Sequence, residues 1–378
     1  MKDVKFWDTV NGDSLDCLDN IADFLHNEFS QDGADKTWSK EYFDWRLGDK
    51  NPAGKGYISY ATSSNQIVGV TTLTKKKAIY NSQKLIVGEI GDTYTLSDII
   101  RNGKPSLLSG LDSNPKSYIN KSVFGRLISE MTHRASQDGV SVIYGTPNKN
   151  SFPGYIKRLD FLNHTKYNNV VNYRPSFRLL SEKYWALKPL KFFYLAESLV
   201  FSLQRTMYNF LYGKGVEVSI GMPESDEINT LWEVTKPKVG FSLVRDDEYW
   251  HYRYVNHPLA TYKFINFRKN GSLVAIVVVR EFSYREGRRI TPVVEWMSEK
   301  QISIGYLLSE TLNLINGREV DYYYYYSSAN DSTSLLSRGN FFLYSQEAPI
   351  VFVKNNLSEE ICENNHSFDF HLGSSDAV

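Results

Sequence analysis

The stretch Tyr42–Leu47, YFDWRL, returns in outline at Tyr249–Tyr254, YWHYRY, and this repeat decides the fold. Two sets of residues recur in the same order: Tyr42, Trp45 and Arg46 match Tyr249, Tyr252 and Arg253 at an offset of 207, and Pro52, Val68, Val70 and Glu89 match Pro258, Val274, Ile276 and Glu295 at an offset of 206. One coincidence is common in a chain with 26 tyrosines, but several matches at a nearly constant spacing indicate an internal repeat. We therefore predict a tandem duplication of one α/β unit.

Length and composition limit the classes of function. The 378 residues are enough for about two domains. A formal net charge of zero removes the broad electrostatic attraction on which non-specific nucleic-acid binding depends. Two cysteines and seven scattered histidines give no metal-ligand spacing, and no apolar run reaches the ~20 residues of a membrane span. We expect a cytoplasmic protein that binds no nucleic acid and no metal ion and has no membrane span.

Hydrophobic periodicity gives the first unit a mixed α/β pattern. The spacing predicts a helix at 20–30 and three strands within 56–96. Residues 97–117 are rich in Gly, Ser, Asn and Pro and predict a long loop, of a length that is often functional. The elements predicted after this loop are a helix at 122–139, a strand at 140–148 and a helix at 151–161.

A segment of different composition separates the two copies. Residues 181–215 are aromatic, basic and helical in spacing. We interpret them as a linker helix packed between two domains, and the alternative is a helix that lies on a membrane surface. The predicted division is an N-terminal unit at 1–180 and a C-terminal unit at 216–378. We expect a monomer in which the two units form an intramolecular pseudo-dimer.

Several motifs resemble the GNAT superfamily of CoA-dependent N-acyltransferases, and in particular two-domain bacterial members from surface-polysaccharide gene clusters. These members show a W-R block with a following Pro, a GDT strand and a YG-x-PN-x-NS-x-PG block. The chain has DWRL with a following NP, IGDTYT at 90–95 and YGTPNKNSFPGYIKRLDF at 144–161. The resemblance covers most of the chain. It implies an α/β (α+β) fold of two tandem GNAT-type units, each a mixed, mostly antiparallel sheet flanked by helices.

The resemblance implies acyl-CoA as co-substrate, bound by the first unit. In the superfamily, the amides of a loop before a helix hold the CoA pyrophosphate, which suits the anion-binding end of a helix. This chain has NPKSYINKSVFGRL at 114–127, with Ile119 in place of the usual Arg or Gln and Ser122 in place of Gly. The equivalent KQISIGYLLSE at 300–310 carries no basic residue after Gln301, so we expect no CoA there. The predicted CoA contacts are Thr93, Tyr94, Asn120, Lys121, Ser122, Val123, Phe124, Asn148 and Asn150, and for the two asparagines turn formation is the alternative.

Three residues are candidates for proton transfer, which acyl transfer to an amine requires. Many superfamily members use a tyrosine of the last helix to protonate the leaving thiolate, and Tyr155 is one residue from that position. Glu89 and Asp92 lie on the strand that usually lines the active site. A spacing of three places them on opposite strand faces, so we expect at most one of them to face the cleft and favour Asp92. For both carboxylates an ordinary structural role is the alternative, and solvent can take the proton instead.

A further set of side chains is expected at the acceptor. Arg46 and Arg253 suit a phosphate group, because guanidinium binds phosphate in a bidentate manner; the alternative for each is a structural ion pair. Aromatic side chains suit a sugar or base by stacking, with core packing as the alternative. The predicted acceptor residues are Arg46, Tyr94, Tyr252, Arg253, His257, Trp296 and Tyr324.

The resemblance implies an acyl-CoA-dependent N-acyltransferase that acts on a nucleotide-linked aminosugar, such as a dTDP-3-amino-3,6-dideoxyhexose, for O-antigen or capsule biosynthesis. The acyl group is expected to be acetyl or 3-hydroxybutanoyl. Two alternatives stay open. One is a tandem-GNAT aminoacyl transferase of the Fem-like type, which uses charged tRNA. The other is a degenerate GNAT protein that binds a ligand without catalysis.

Overall fold

The chain folds into two mixed sheets with helices on their faces. A computed structural model describes residues 4–10, 16–29, 38–96, 122–164, 168–173, 184, 186, 188–189, 193–280, 282–284, 288–315, 322–327, 343–347, 349–363 and 368–369. The loop predicted at 97–117 lies outside these residues. The helices are α1 (Asp16–Phe29), α2 (Lys40–Leu47), α3 (Val123–Gln137), α4 (Phe152–Leu159), α5 (Phe193–Tyr212), α6 (Ser225–Thr235), α7 (Asp247–Trp250, continued by a π-helical turn at His251–Val255), α8 (Ile304–Leu314) and α9 (Asn356–Glu363).

Strands lie before, between and after these helices. They are β1 (Val4–Val10), β2 (Tyr57–Ser63), β3 (Gln66–Tyr80), β4 (Gln83–Thr95), β5 (Val142–Gly145), β6 (Leu162–His164), β7 (Asn168–Tyr173), β8 (Val216–Ile220), β9 (Phe241–Leu243), β10 (Tyr262–Lys269), β11 (Ser272–Arg280), β12 (Phe282–Tyr284), β13 (Arg288–Ser298), β14 (Tyr322–Ser327), β15 (Leu343–Glu347), β16 (Ile350–Phe352) and β17 (Phe368–Asp369). The predicted α/β fold with two sheets flanked by helices is confirmed.

Two of the hairpin turns occupy equivalent places in the copies. Ser64 and Asn65 join β2 to β3 with φ of 49° and 61°, and Asn270 and Gly271 join β10 to β11 with φ of 52° and 82°. Positive φ at both central residues is the conformation of a type I′ turn, whose twist matches that of antiparallel strands. The turns are 206 residues apart, the offset at which the strand residues repeat.

Strand order is the same in both sheets. The first sheet runs β1-β2-β3-β4-β5-β16-β6, and the second runs β8-β10-β11-β13-β14-β7-β15. In each sheet the sixth position is filled by a strand from the other half of the chain: β16 lies between β5 and β6, and β7 lies between β14 and β15. The two copies therefore exchange one strand each. The division at 1–180 and 216–378 describes chain segments and stays a proposal.

A symmetric contact joins the two copies of the opening motif. Trp45 of α2 stacks on Tyr252 with ring centroids 4.9 Å apart. The Trp45 indole N–H donates to the Tyr252 carbonyl (3.1 Å), and the Tyr252 hydroxyl donates to the Trp45 carbonyl (3.3 Å). Each side chain donates a hydrogen bond to the backbone carbonyl of the other residue. The contact is therefore isologous, as in a two-fold symmetric dimer. The repeat thus marks the interface between the copies.

The faces of the first sheet are covered by different helices. Val70 of β3 packs with Phe43 and Trp45 on the α1/α2 face. Leu73 of β3 packs with Ile128 and Tyr155 on the α3/α4 face.

The described helices include none that is both long enough and apolar enough to cross a bilayer.

Candidate active site

Strands β4 and β5 separate at one point, and the candidate site lies there. The two parallel strands pair from Val87/Val142 to Ile90/Gly145. β5 ends at Gly145, whereas β4 continues to Thr95 along β3. The edge of β4 from Gly91 onward therefore has no strand partner on the β5 side among the described residues. Backbone groups of such an edge are available to pair with an extended ligand.

A β-bulge redirects β4 at this point. Thr72 pairs with Gly91, but Val70 pairs with Tyr94, so β4 carries one extra residue opposite Thr71. Asp92 lies at the bulge and has a φ of 42°. A bulge inserts a residue and changes which face the following side chains occupy. Our expectation that Glu89 and Asp92 lie on opposite faces is wrong for this reason.

Both carboxylates face the α1/α2 side of the sheet. Glu89 pairs with the Lys76 ammonium, and the Thr72 hydroxyl donates to the Asp92 carboxylate at 3.1 Å. Thr72 and Lys76 are four residues apart on one strand, so their side chains share a face. Each carboxylate is buried in an ion pair, as the structural alternative for these residues requires.

The partner of Asp92 is Arg46 of the repeat motif. Arg46 is 1% exposed, and its guanidinium forms an ion pair with Asp92 and donates to the Thr72 hydroxyl at 2.9 Å. The Trp38 indole N–H donates to the second Asp92 oxygen at 3.0 Å. These contacts favour the ion-pair interpretation of Arg46 over the binding of an acceptor phosphate. Sequence reasoning missed Trp38 and Thr72, since nothing in their spacing marks them.

Tyr155 lies on the opposite face, at the separation of the strands. Its hydroxyl is 3.4 Å from the Thr93 hydroxyl, which is 2.8 Å from the Thr71 hydroxyl. The ring packs edge-on against Phe124 at 5.4 Å and against Phe161 at 5.2 Å. Burial raises the pKa of the phenol to about 12, although the hydrogen bond with Thr93 acts in the other direction. The group therefore stays protonated at neutral pH and can donate a proton or a hydrogen bond.

The first turn of helix α3 lies beside Tyr155, because the Phe124 ring packs on the Tyr155 ring at 5.4 Å. The Ser122 hydroxyl caps the helix by accepting from the Gly125 amide at 3.2 Å. The amides of Val123 and Phe124 are among the first four of the helix, which have no intrahelical acceptor. These amides and the positive end of the helix dipole suit a phosphate. Asn120 and Lys121 lie outside the described residues, and their predicted role stays a prediction.

The two predicted asparagines after β5 form a turn. The Asn148 side-chain oxygen accepts from the amides of Asn150 (2.9 Å) and Ser151 (3.0 Å), where α4 begins. This is the turn chemistry that we named as the alternative. Both asparagines are exposed.

The equivalent site in the second unit is occupied by the chain itself. A Cβ atom on Gly305, in the first turn of α8, would lie 2.6 Å from the Tyr208 hydroxyl oxygen of α5. Trp296 and Tyr306 belong to the hydrophobic core of this unit. Trp296 thus has the core position that we named as its alternative, and the Tyr324 side chain lies outside the described residues. The packing of Tyr208 supports our proposal that only the first unit binds CoA.

The remaining predicted acceptor residues line the interface between the copies. His257 packs on Trp45 at 4.5 Å, next to the Tyr252 ring. Arg253 is 3% exposed, with its guanidinium 5.7 Å from the Trp45 ring centre. Glu295 of the second copy pairs with Arg245 and accepts from the Tyr249 hydroxyl at 2.8 Å, so its contacts stay within that copy. The contacts of His257 and Arg253 with Trp45 join the two copies.

A cavity opens on the α1/α2 face at the end of β4. It has a volume of about 650 Å³ and lies between α1 and the β2–β3 hairpin. Asp23 and Glu28 contribute carboxylates, and Asn20 and Asn27 contribute amides. Tyr94, predicted for both CoA and acceptor, donates its hydroxyl to Glu28 at 2.6 Å. Sequence reasoning missed this cavity, because its residues come from a helix and a hairpin far apart in the chain.

Comparison with solved structures identifies the fold. A conserved protein of unknown function from Enterococcus faecalis, described as a probable N-acyltransferase, superposes with a TM-score of 0.55 at 10% identity over 92% of this chain and 72% of its own. A GCN5-related N-acetyltransferase from Anabaena variabilis gives 0.55 at 9% identity over the same shares of the two chains. The chain has a GNAT-like fold.

A third similar structure is an N-acyltransferase with its acyl-CoA bound. Saccharomyces cerevisiae N-myristoyltransferase with bound myristoyl-CoA gives a TM-score of 0.55 at 11% identity, over 93% of this chain and 82% of its own. No family model and no curated protein matches the chain. Since each of the three similar structures covers more than nine-tenths of the chain, the GNAT-like architecture spans both units.

Proposed function

We propose that this protein is an acyl-CoA-dependent N-acyltransferase whose first unit binds the acyl-CoA. One observation carries the proposal: β4 and β5 separate after Ile90 and Gly145, and the Tyr155 hydroxyl and the N-terminus of α3 lie at the separation. The GNAT-like fold of structures described as N-acyltransferases supports it.

The proposed reaction joins an amine to the acyl group. The neutral amine attacks the thioester carbonyl, the carbon–sulfur bond breaks, the nitrogen of the new amide loses a proton to solvent, and the CoA thiolate takes a proton. The free edge of β4 after Gly91 would align the acyl-CoA. Tyr155, whose pKa is raised to about 12, would donate the proton to the thiolate. The amides of Val123 and Phe124 would hold a phosphate of CoA.

The acceptor amine would enter from the α1/α2 side, through the cavity of about 650 Å³. The carboxylates of Asp23 and Glu28 favour a cationic or hydroxyl-rich group and repel a diphosphate. An aminosugar ring would therefore enter the cavity while a linked nucleotide diphosphate stays outside it. We propose a nucleotide-linked aminosugar as acceptor, such as a dTDP-linked amino-dideoxyhexose, and acetyl or 3-hydroxybutanoyl as the acyl group. Cytoplasmic location and a monomeric state belong to the same proposal.

A thiol-release assay tests the proposed activity. The protein is incubated with acetyl-CoA or 3-hydroxybutanoyl-CoA and a panel of dTDP-aminosugars, and free CoA thiol and the acylated sugar are measured by absorbance and mass spectrometry. We expect thiol release that depends on both substrates. Calorimetry with CoA, which should bind, separates two negative outcomes. If CoA binds but no aminosugar is acylated, the proposed acceptor class is wrong. If CoA does not bind, the proposed acyltransferase activity is wrong.

A further inference from the structure

Helix α5 presents its apolar side to solvent. The exposed residues Leu199, Leu203, Met207 and Phe210 are 61%, 62%, 50% and 85% exposed. With Ala196, Val200 and Leu211 they recur at intervals of three and four, so they form one stripe along the helix. We call these seven residues the outer stripe. Of the 13 large hydrophobic side chains that are exposed among the described residues, seven belong to α5.

The described side chains by which α5 contacts α8 are Arg205, Tyr208 and Asn209. Arg205 forms an ion pair with Glu310 of α8 at 2.8 Å and donates to the Asn313 side chain at 2.8 Å. The Asn209 amide donates to Glu310 at 2.7 Å, and the Tyr208 ring packs on Gly305. A surface helix normally buries its apolar face and exposes its polar one. In α5 the outer stripe is exposed while Arg205, Tyr208 and Asn209 contact α8, so the partner of the outer stripe is not α8.

Positive charge is concentrated around this helix. Lys183, Lys188 and Lys191 precede α5 and Lys214 follows it, whereas Glu197 is the one acidic residue between 183 and 216. Lys188 and Lys214 are exposed. The whole chain has a formal net charge of zero, so this surface is set apart from the rest. An apolar stripe flanked by lysines suits a surface with acyl chains below anionic head groups.

We propose that α5 docks the protein on the surface of an anionic phospholipid bilayer, with the outer stripe inserted at the level of the head groups. From Ala196 to Leu211 the stripe runs for about 22 Å at ~1.5 Å per residue. A second copy of the chain fits less well. Two-fold packing of antiparallel α5 helices would bring Lys188 of one copy toward Lys214 of the other, and like charges repel. This proposal is independent of the acyltransferase activity.

Vesicle flotation tests the docking. The full chain is mixed with vesicles of phosphatidylcholine containing phosphatidylglycerol or of phosphatidylcholine alone, and the bound fraction is measured at low and high salt. We expect binding to the anionic vesicles that weakens with salt. Equal binding to both vesicle types overturns the assignment of an anionic surface.

Two variants locate the contact. Leu203→Gln with Phe210→Ser removes apolar side chains from the outer stripe, and we expect at least tenfold weaker partitioning. Val234→Gln with Val239→Ser is the matched control, because these residues are 65% and 70% exposed elsewhere; it should bind as the parent does. Lys188→Gln with Lys214→Gln should weaken binding to anionic vesicles about 30-fold, at about fivefold per lysine.

Circular dichroism and the thermal midpoint confirm that each variant is folded, since the substituted side chains are exposed. Sedimentation equilibrium tests the second copy. Dimerisation that the outer-stripe variant abolishes, together with no vesicle binding by the parent, overturns the proposal in favour of self-association.

Discussion

At the scale of single residues, the proposed chemistry depends on the Tyr155 hydroxyl. Its neighbour is the Thr93 hydroxyl at 3.4 Å, on the part of β4 beyond its pairing with β5. We predict that Tyr155→Phe lowers kcat by about 10²–10⁴-fold, the range of a lost general acid. The ring still packs on Phe124 and Phe161, so CoA affinity and the thermal midpoint should stay close to those of the parent. The measurements are steady-state kinetics and calorimetry with CoA.

Thr93→Val is the matched control for this prediction. It removes the hydrogen bond to Tyr155 and keeps the shape of the side chain. If Tyr155 is the acid, Thr93→Val should have a much smaller effect on kcat than Tyr155→Phe. Equal kcat in Tyr155→Phe and the parent would exclude the phenol as proton donor and leave solvent in that role.

The same residue gives a pH dependence of stability. The pKa of Tyr155 rises from an ordinary value of 10.0 to about 12 on folding. A raised pKa means that the folded state holds its proton more tightly than the unfolded state. The stabilisation is complete below pH 10 and is lost as the pH rises through 12. We predict that the free energy of unfolding of the parent falls by about 1 kcal/mol more than that of Tyr155→Phe between pH 9 and pH 11.

Urea unfolding of both proteins at these pH values measures the difference. Tyr249 and Tyr254 are buried and their pKa values are also raised, but both proteins share them, so their contribution cancels. Parallel pH curves for the two proteins would show that the Tyr155 pKa is not raised by folding.

The roles of Glu89 and Asp92 show where residue-level prediction fails. The sequence places both carboxylates on a strand. A spacing of three on a regular strand predicts that the two side chains lie on opposite faces of the sheet. Asp92 adopts φ of 42°, a conformation uncommon outside glycine. The residues GDTYT do not by themselves predict a positive φ at this position. At the bulge Asp92 contacts Trp38 and Arg46, which lie at α2, and Thr72, which lies on β3, so its partners come from two other segments. Such a conformation depends on tertiary contacts that one sequence does not display.

At the scale of elements, helix α2 and the bulge of β4 are held together by the buried Arg46–Asp92 pair. Arg46→Ala leaves the Asp92 carboxylate buried without its cation, and we predict a loss of about 3–5 kcal/mol in the free energy of unfolding. Arg46→Met with Asp92→Asn removes both charges and, because asparagine tolerates the positive φ at this position, should cost less than the single substitution. Chemical denaturation measures all three proteins.

This series also decides between the two interpretations of Arg46. A residue that binds an acceptor phosphate would, when changed to Ala, raise KM for the acceptor and leave stability unchanged. A stable Arg46→Ala protein with a raised KM would therefore reject the structural ion pair and restore the substrate-binding role.

Element types and repeat were predictable because they depend on local pattern. β3 at Gln66–Tyr80 coincides with a predicted strand, and α3 at Val123–Gln137 fills the predicted helix, which ends before Gly139 at φ of 85°. The constant offset of the motif located Trp45 and Tyr252 as equivalents. Their direct stacking on each other was not predictable. A constant offset in the sequence indicates that two residues occupy equivalent positions in the two copies, but it does not indicate that they are in contact.

At the scale of the whole molecule, the exchange of β7 and β16 makes the two units interdependent. A search for repeats detects two similar segments but contains no information about which sheet receives each strand. β7 begins four residues after β6 ends but lies in the other sheet, and β16, which begins three residues after β15 ends, is placed in the same way. The exchange, like the Trp45–Tyr252 contact, obeys the two-fold relation between the copies. The molecule is thus built like a strand-swapped dimer within one chain.

The exchange predicts that residues 1–180 do not fold alone. This fragment lacks Ile350, Val351 and Phe352, which fill the gap between β5 and β6 and are fully buried there. Without β16 both neighbouring strands expose an unpaired edge and the core loses three apolar side chains, at about 1.5–3 kcal/mol each. We expect broad, non-cooperative urea unfolding for the fragment by circular dichroism. Adding a peptide of residues 343–363, which carries β16, should restore a cooperative transition, whereas the same peptide with Val351→Asp should not, because that carboxylate would be buried without a partner. A sharp transition of the fragment without peptide would mean that the first unit folds independently and that β16 only adds to a finished sheet.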